Sequence, residues 1–162
     1  MSYAKFAAMI LTSTIVMFGL MYLNTFAADH VFFSQTRMWM AVLMGATMAV
    51  VMMGFMFRMY ESATVNAAVL VAGVLVFSGS LWLVRSQATV DDVSYMKAMI
   101  PHHSIAVLTS SRARIRDPRV RDLADRIIEA QVREIAEMKQ LISALEESPP
   151  SPEAPVLSPA SP

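Results

Sequence analysis

The sequence predicts an all-α protein, with three transmembrane helices followed by a charged helical hairpin in water. Three observations predict it. Residues 1–85 carry six charged side chains (Lys5, Asp29, Arg37, Arg58, Glu61, Arg85), while the other twenty lie between Asp91 and Glu153. Uncharged runs cover residues 6–28, 38–57 and 62–84, and about 20 apolar residues suffice to cross a bilayer core of roughly 30 Å. Beyond residue 118, apolar side chains recur every three to four positions, which is one face of a helix. The chain is 56% hydrophobic and 16% charged, against about 25% charged in a soluble domain. The excess is confined to the first half, so lipid is expected as solvent there and water afterwards.

Each apolar run should be helical, because lipid cannot satisfy exposed backbone polar groups. Tyr3, Tyr22, Phe32, Phe33, Trp39, Tyr60 and Trp82 lie near the run ends, where aromatic side chains anchor spans at the interface. The expected division is a three-helix anchor over residues 1–86, with spans of about 6–28, 38–57 and 62–84. A hairpin module over 87–147 and a tail over 148–162 follow. A cleaved leader is the alternative for the first run, with Lys5 as its basic end and Ala27 or Ala28 before the cut. The run is long for that purpose, and Phe26 is bulky for a cleavage site. Lys5 and Arg58 fall on one side of the membrane, and Arg37, Arg85 and Lys97 on the other. Positive charge therefore discriminates little between the two orientations.

In the hairpin, Thr89 with Asp91 and Asp92 reads as a helix start, and that helix should run to about Arg114. Pro101 should kink it or mark a restart, since proline lacks an N–H and crowds the preceding turn. Asp117 and Pro118 read as the cap and first position of a second helix continuing to about Glu146. Its apolar stripe is Val120, Ala124, Ile127, Ile135, Met138, Ile142 and Leu145, with Gln131 a polar exception. Asp122 with Arg126 and Glu129 with Arg133 are expected as supporting i,i+4 pairs. The Pro- and Ser-rich tail has little to bury and should be disordered.

Several function classes are disfavoured. The formal net charge is zero and no basic field favours nucleic acid. Cysteine is absent, so disulfides, thiolate metal sites and cysteine nucleophiles are excluded. The Glu-x-x-His pairs of carboxylate-bridged di-iron bundles are missing. No catalytic triad, strained nucleophile turn or phosphate-binding glycine loop is present, and no enzyme is expected.

The candidate chemistry lies in Met96, Met99, His102 and His103, spaced M-x-x-M-x-x-H-H. Folding the hairpin about residue 117 sets His103 opposite Gln131, Met99 opposite Glu134 and Ile135, and Met96 opposite Met138. Thioether and imidazole together suit Cu(I) or Ag(I). The candidate metal ligands are His102, His103, Met99, Met96 and Met138, with Gln131 and Glu134 as weaker ligands or orienting groups. The bland reading is that these methionines are core and the histidines satisfied polar groups.

Met40, Met44, Met48, Met52 and Met56 form a ladder in the second span. Steps of four drift around a helix, so packing is a better reading than a metal path. Gly45 with Ala49, or Gly54, are candidates for close helix contact. Asp29-His30 reads as a solvated interfacial pair. Arg112, Arg114, Arg116, Arg119 and Arg121 read as a solvated turn.

The stretch MKAMIPHHSIAVL, followed by DPRVRDLADRIIEAQVREIAEM, resembles the bacterial family catalogued as domain of unknown function 305. Met99, His102, His103, Ala106, Pro118, Leu123, Ala124, Ile128, Gln131, Glu134 and Met138 carry the likeness, which covers roughly residues 91–145. The first half, with YLNTFAADHVFFSQTR, resembles that family's three-span subgroup. The resemblance implies a ferritin-like module in which one hairpin is half of a four-helix bundle, and hence a homodimer. It also implies copper or silver binding in some members. Export is common among them, which implies a bacterial inner-membrane protein with its C-terminal module outside.

Overall fold

The computed structural model describes residues 2–151 and 153–157. Among the described residues the chain is all helical. It comprises α1 (Tyr3–Leu20), α2 (Gln35–Met56), α3 (Ala63–Ser86), α4 (Asp92–Arg112) and α5 (Pro118–Glu147), with single 3-10 turns at Ala28–His30 and Phe57–Met59. The first three helices are long and apolar enough to cross a membrane. At 1.5 Å per residue, the 18 residues of α1 reach about 27 Å. Their outward faces stay apolar: Ile15, Phe55, Leu75 and Trp82 are 70, 89, 66 and 61% exposed. Such surface would be costly in water and is at ease in lipid.

Helix α2 stands between α1 and α3. Small residues set the spacing: a Cβ at Gly45 would overlap Thr14 Oγ1 on α1, and one at Gly73 would come within 2.5 Å of Val50 Cγ2. Without a hydrophobic drive between helices in lipid, such close packing holds spans together. A Cβ at Gly54 would meet nothing within 4 Å, so Gly54 is not a packing glycine. Polar groups close the bundle at its amino-terminal end. There Tyr3 donates to Asn66 Oδ1 at 2.8 Å, and Asn66 Nδ2 donates to the Phe57 carbonyl at 2.7 Å. The Tyr3 and Tyr60 rings stack at 4.8 Å, over a core of Phe6 and the fully buried Met53.

The uncharged run continues to Ala28, yet α1 stops at Leu20. The cause is Arg37, in the first turn of α2. Its Nη1 donates to the Met21 carbonyl at 2.6 Å, and its guanidinium lies 4.6 Å from the Tyr22 ring centroid. A cation at a helix C-terminus satisfies a free carbonyl and complements the dipole. Tyr22 Oη in turn accepts from the Ser34 amide at 3.0 Å, so the segment 21–34 folds back on itself.

That segment is the seat of the hairpin. Ser104 of α4, fully buried, accepts from the Phe26 amide at 2.7 Å and shares a 2.9 Å hydrogen bond with His30 Nδ1. Lys139 of α5 donates to Asp29 at 2.6 Å, and Phe32 packs against the hairpin core of Met96, Ile100, Ile135, Met138 and Ile142. His30 is therefore a docking residue, whereas Asp29 stays exposed while it meets Lys139.

Other expectations shift in detail. Asp91, not Thr89, caps α4, accepting from the Ser94 amide at 2.7 Å. Helix α4 runs unbroken through Pro101, whose side chain is fully buried. Packing of the ring offsets the lost hydrogen bond to Lys97, and no restart occurs. Asp117 caps α5 with Pro118 at its first position. The Asp122–Arg126 pair forms at 3.1 Å, and the second i,i+4 pair on this helix is Arg121–Asp125. The described part of the tail holds no helix or strand, and residues 152 and 158–162 lie outside the described residues.

Candidate functional site

Consecutive residues on a helix point about 100° apart and cannot share a face. His102 and His103 obey this, with ring centroids 6.2 Å apart and planes tilted by 55°. Each opens onto a different cleft along α4.

The outer cleft, about 560 Å³, is lined by Asp92, Tyr95, Met96, His103, Glu134, Glu137, Met138, Leu141 and Leu145. It therefore holds three carboxylates, one imidazole, two thioethers and no basic side chain. His103 Nδ1 lies 3.2 Å from Glu134 Oε2. The two are misaligned for a hydrogen bond, and Nδ1 is buried without a partner. Burial pushes the His103 pKa below the usual imidazole value; Glu134 opposes this and His102 adds to it. At neutral pH the ring is thus neutral, the form that ligates a metal.

The inner cleft, about 580 Å³, lies between the hairpin and the spans. Its walls include Met21, Asn24, Arg37, Met40, Gln87, Tyr95, Met99 and His102, and no carboxylate. His102 itself is exposed.

The structure thus divides the predicted ligand layer. Met96, His103, Glu134 and Met138 come together; His102 lines the other cleft, and Met99 reaches that cleft while also packing against the core of Met96 and Met138. The expected facing of His103 and Gln131 is corrected by one turn, to Glu134. Gln131 is half-buried and lines neither cleft. Met96 and Met138 do share one core. Among the described residues, no three His, Asp or Glu side chains are placed to hold a metal ion, so any site here depends on thioethers. Sequence reasoning missed Ser104 and Arg37, because nothing in their local pattern marks a partner more than fifteen residues away.

Residues 92–159 match the family model described as domain of unknown function 305. The hairpin lies within the matched residues. The match starts at the first residue of α4 and leaves α1–α3 outside it. An uncharacterized protein of Acanthamoeba polyphaga mimivirus is 42% identical over 64 residues, which is 38% of this chain and 42% of that one. The chain thus spans less than half the length of that relative. No solved structure matches the chain.

Proposed function

We propose that the chain is a membrane-anchored protein that binds a soft monovalent metal, Cu(I) or Ag(I), in the outer cleft. The observation that carries this reading is His103: a half-buried, neutral imidazole whose Nδ1 lies 3.2 Å from Glu134, beside Met96 and Met138 in a cleft of negative sign. Thioethers and imidazole are the donors such ions prefer. Glu134 is near enough to orient the ring, as carboxylates do for metal-bound histidines. The three carboxylates favour a cation over the free apolar cleft. Bound metal would be held, not turned over, and the reading is a role in metal tolerance or handling.

By the family likeness, the hairpin would be half of a ferritin-like four-helix bundle completed by a second copy. Val120 and Leu123 on α5, three residues apart and each about half exposed, support a pairing face. The natural setting for this reading is a bacterial inner membrane with the module on the extracytoplasmic side.

The test is a Cu(I) titration of the detergent-solubilised full chain against a competing chelator. The His103→Ala and Met96→Leu/Met138→Leu variants should lose about tenfold or more in affinity, as each removes a ligand. Equal affinity in wild type and both variants overturns the proposal. Chemical crosslinking of the same samples tests the dimer.

A further inference from the structure

The inner cleft has the opposite sign. Arg37 is only 9% exposed, and among the described residues it forms no salt bridge. Its contacts are one backbone carbonyl and the face of Tyr22. A buried cation is ordinarily paired. This one borders a cleft of about 580 Å³ with no Asp or Glu in its walls. The cleft also lies at a membrane boundary, since Gln35–Ser94 and Thr36–Gln87 hydrogen bonds tie the first turn of α2 to the start of the hairpin and the end of α3.

The rest of the wall fits an amphiphile. Asn24, Ser34, Thr36 and Gln87 bring polar groups to the region of Arg37, whereas Met40 and Val84 continue into the spans. Guanidinium matches the oxygens of a phosphate in a planar, forked geometry. The adjacent N-terminal end of α2 adds a favourable dipole for an anion. Met21, Met40 and Met99 also bring thioethers to this wall, but a buried guanidinium without a counter-ion repels a metal ion.

We propose that the inner cleft binds one bilayer phospholipid of anionic headgroup, its phosphodiester paired with Arg37 and an acyl chain leaving along α2 and α3 past Met40 and Val84. The lipid would act as the missing counter-ion and as mortar between spans and hairpin. The two clefts flanking α4 would then take ligands of opposite charge. This inference is independent of metal binding in the outer cleft.

The experiment is native mass spectrometry of the delipidated full chain in a non-ionic detergent, titrated with phosphatidylglycerol. Diacylglycerol of the same chains and inorganic phosphate serve as separate probes. Wild type should retain one phosphatidylglycerol and prefer it to diacylglycerol by about tenfold or more, the order that a charge-assisted hydrogen bond provides. Arg37→Gln should abolish that preference. Because Arg37 also caps α1, a second variant leaves it untouched: Ala98 of α4 lies in the cleft wall, so Ala98→Trp fills the cleft and should reduce phosphatidylglycerol retention. Circular dichroism checks the helicity of both. Equal binding of the two lipids by wild type, displacement of the lipid by inorganic phosphate, or full retention in a folded Ala98→Trp would each overturn the proposal.

Discussion

Ser104→Ala is the sharpest perturbation of the seat between spans and hairpin. The hydroxyl oxygen accepts from the Phe26 amide at 2.7 Å, and the hydroxyl also meets His30 Nδ1 at 2.9 Å. The roles are mutually consistent: the amide donates to Oγ, Oγ–H donates to Nδ1, and the ring carries its proton on Nε2, 3.9 Å from Asp29. Removing the oxygen leaves two groups unmatched. A buried polar group left without a partner costs about 1–3 kcal/mol. The Phe26 amide and the His30 ring are only partly buried, so water recovers some of this, and a total near 1–2 kcal/mol is expected. That corresponds to roughly 5- to 30-fold in the opening equilibrium. Hydrogen exchange of the full chain in detergent reads it directly. Amides of residues 22–34 should lose protection by that factor, while those of α2 and α3 stay unchanged. If the Phe26 amide exchanges as slowly in Ser104→Ala as in wild type, the docking argument is wrong.

Other outcomes follow from the same contacts. Gly45→Leu should force α1 from α2, because even a Cβ overlaps Thr14 Oγ1; a cost of about 1–3 kcal/mol should appear as a lower thermal midpoint in detergent. Ile135→Ala empties a site that is 3% exposed in the hairpin core, and should cost about 2–5 kcal/mol in the same melt. Asp91→Ala removes the α4 cap, and about 1 kcal/mol with it. The pH dependence has a definite sign. Burial lowers the pKa of both His30 and His103, so the unfolded chain binds more protons as pH falls below about 6.5. Stability is full above that value and declines below it; His30→Gln/His103→Gln should flatten the slope in pH-resolved thermal melts.

The spans were legible because lipid imposes a length and an absence of charge that a linear sequence displays directly. The hairpin was legible from the Asp117-Pro118 start and the regular stripe on α5. The end of α1 was not, because it depends on Arg37, sixteen positions beyond the carbonyl at Met21 that it satisfies. Hydropathy registers Leu23 and Phe26 as more span, though they belong to the seat of the hairpin. At Pro101 no restart occurs for a related reason: burial of its ring overrides a local penalty. The candidate site was legible as a set of residue types but not as a geometry. Spacing rules place His102 and His103 beside Met99 alike, yet the 100° between them decides which cleft each enters. Most of the charge of those clefts comes from Glu134, Glu137 and Arg37, which lie on other helices, and α4 itself adds only Asp92.

That division supplies the most direct test of the metal-binding account. Cu(I) affinity should be compared between His102→Ala and His103→Ala in the full chain, under one competing chelator. The account predicts that His103→Ala weakens binding by about tenfold or more, whereas His102→Ala, on the cationic side of α4, binds as wild type does. Loss of binding in His102→Ala with full retention in His103→Ala would contradict it.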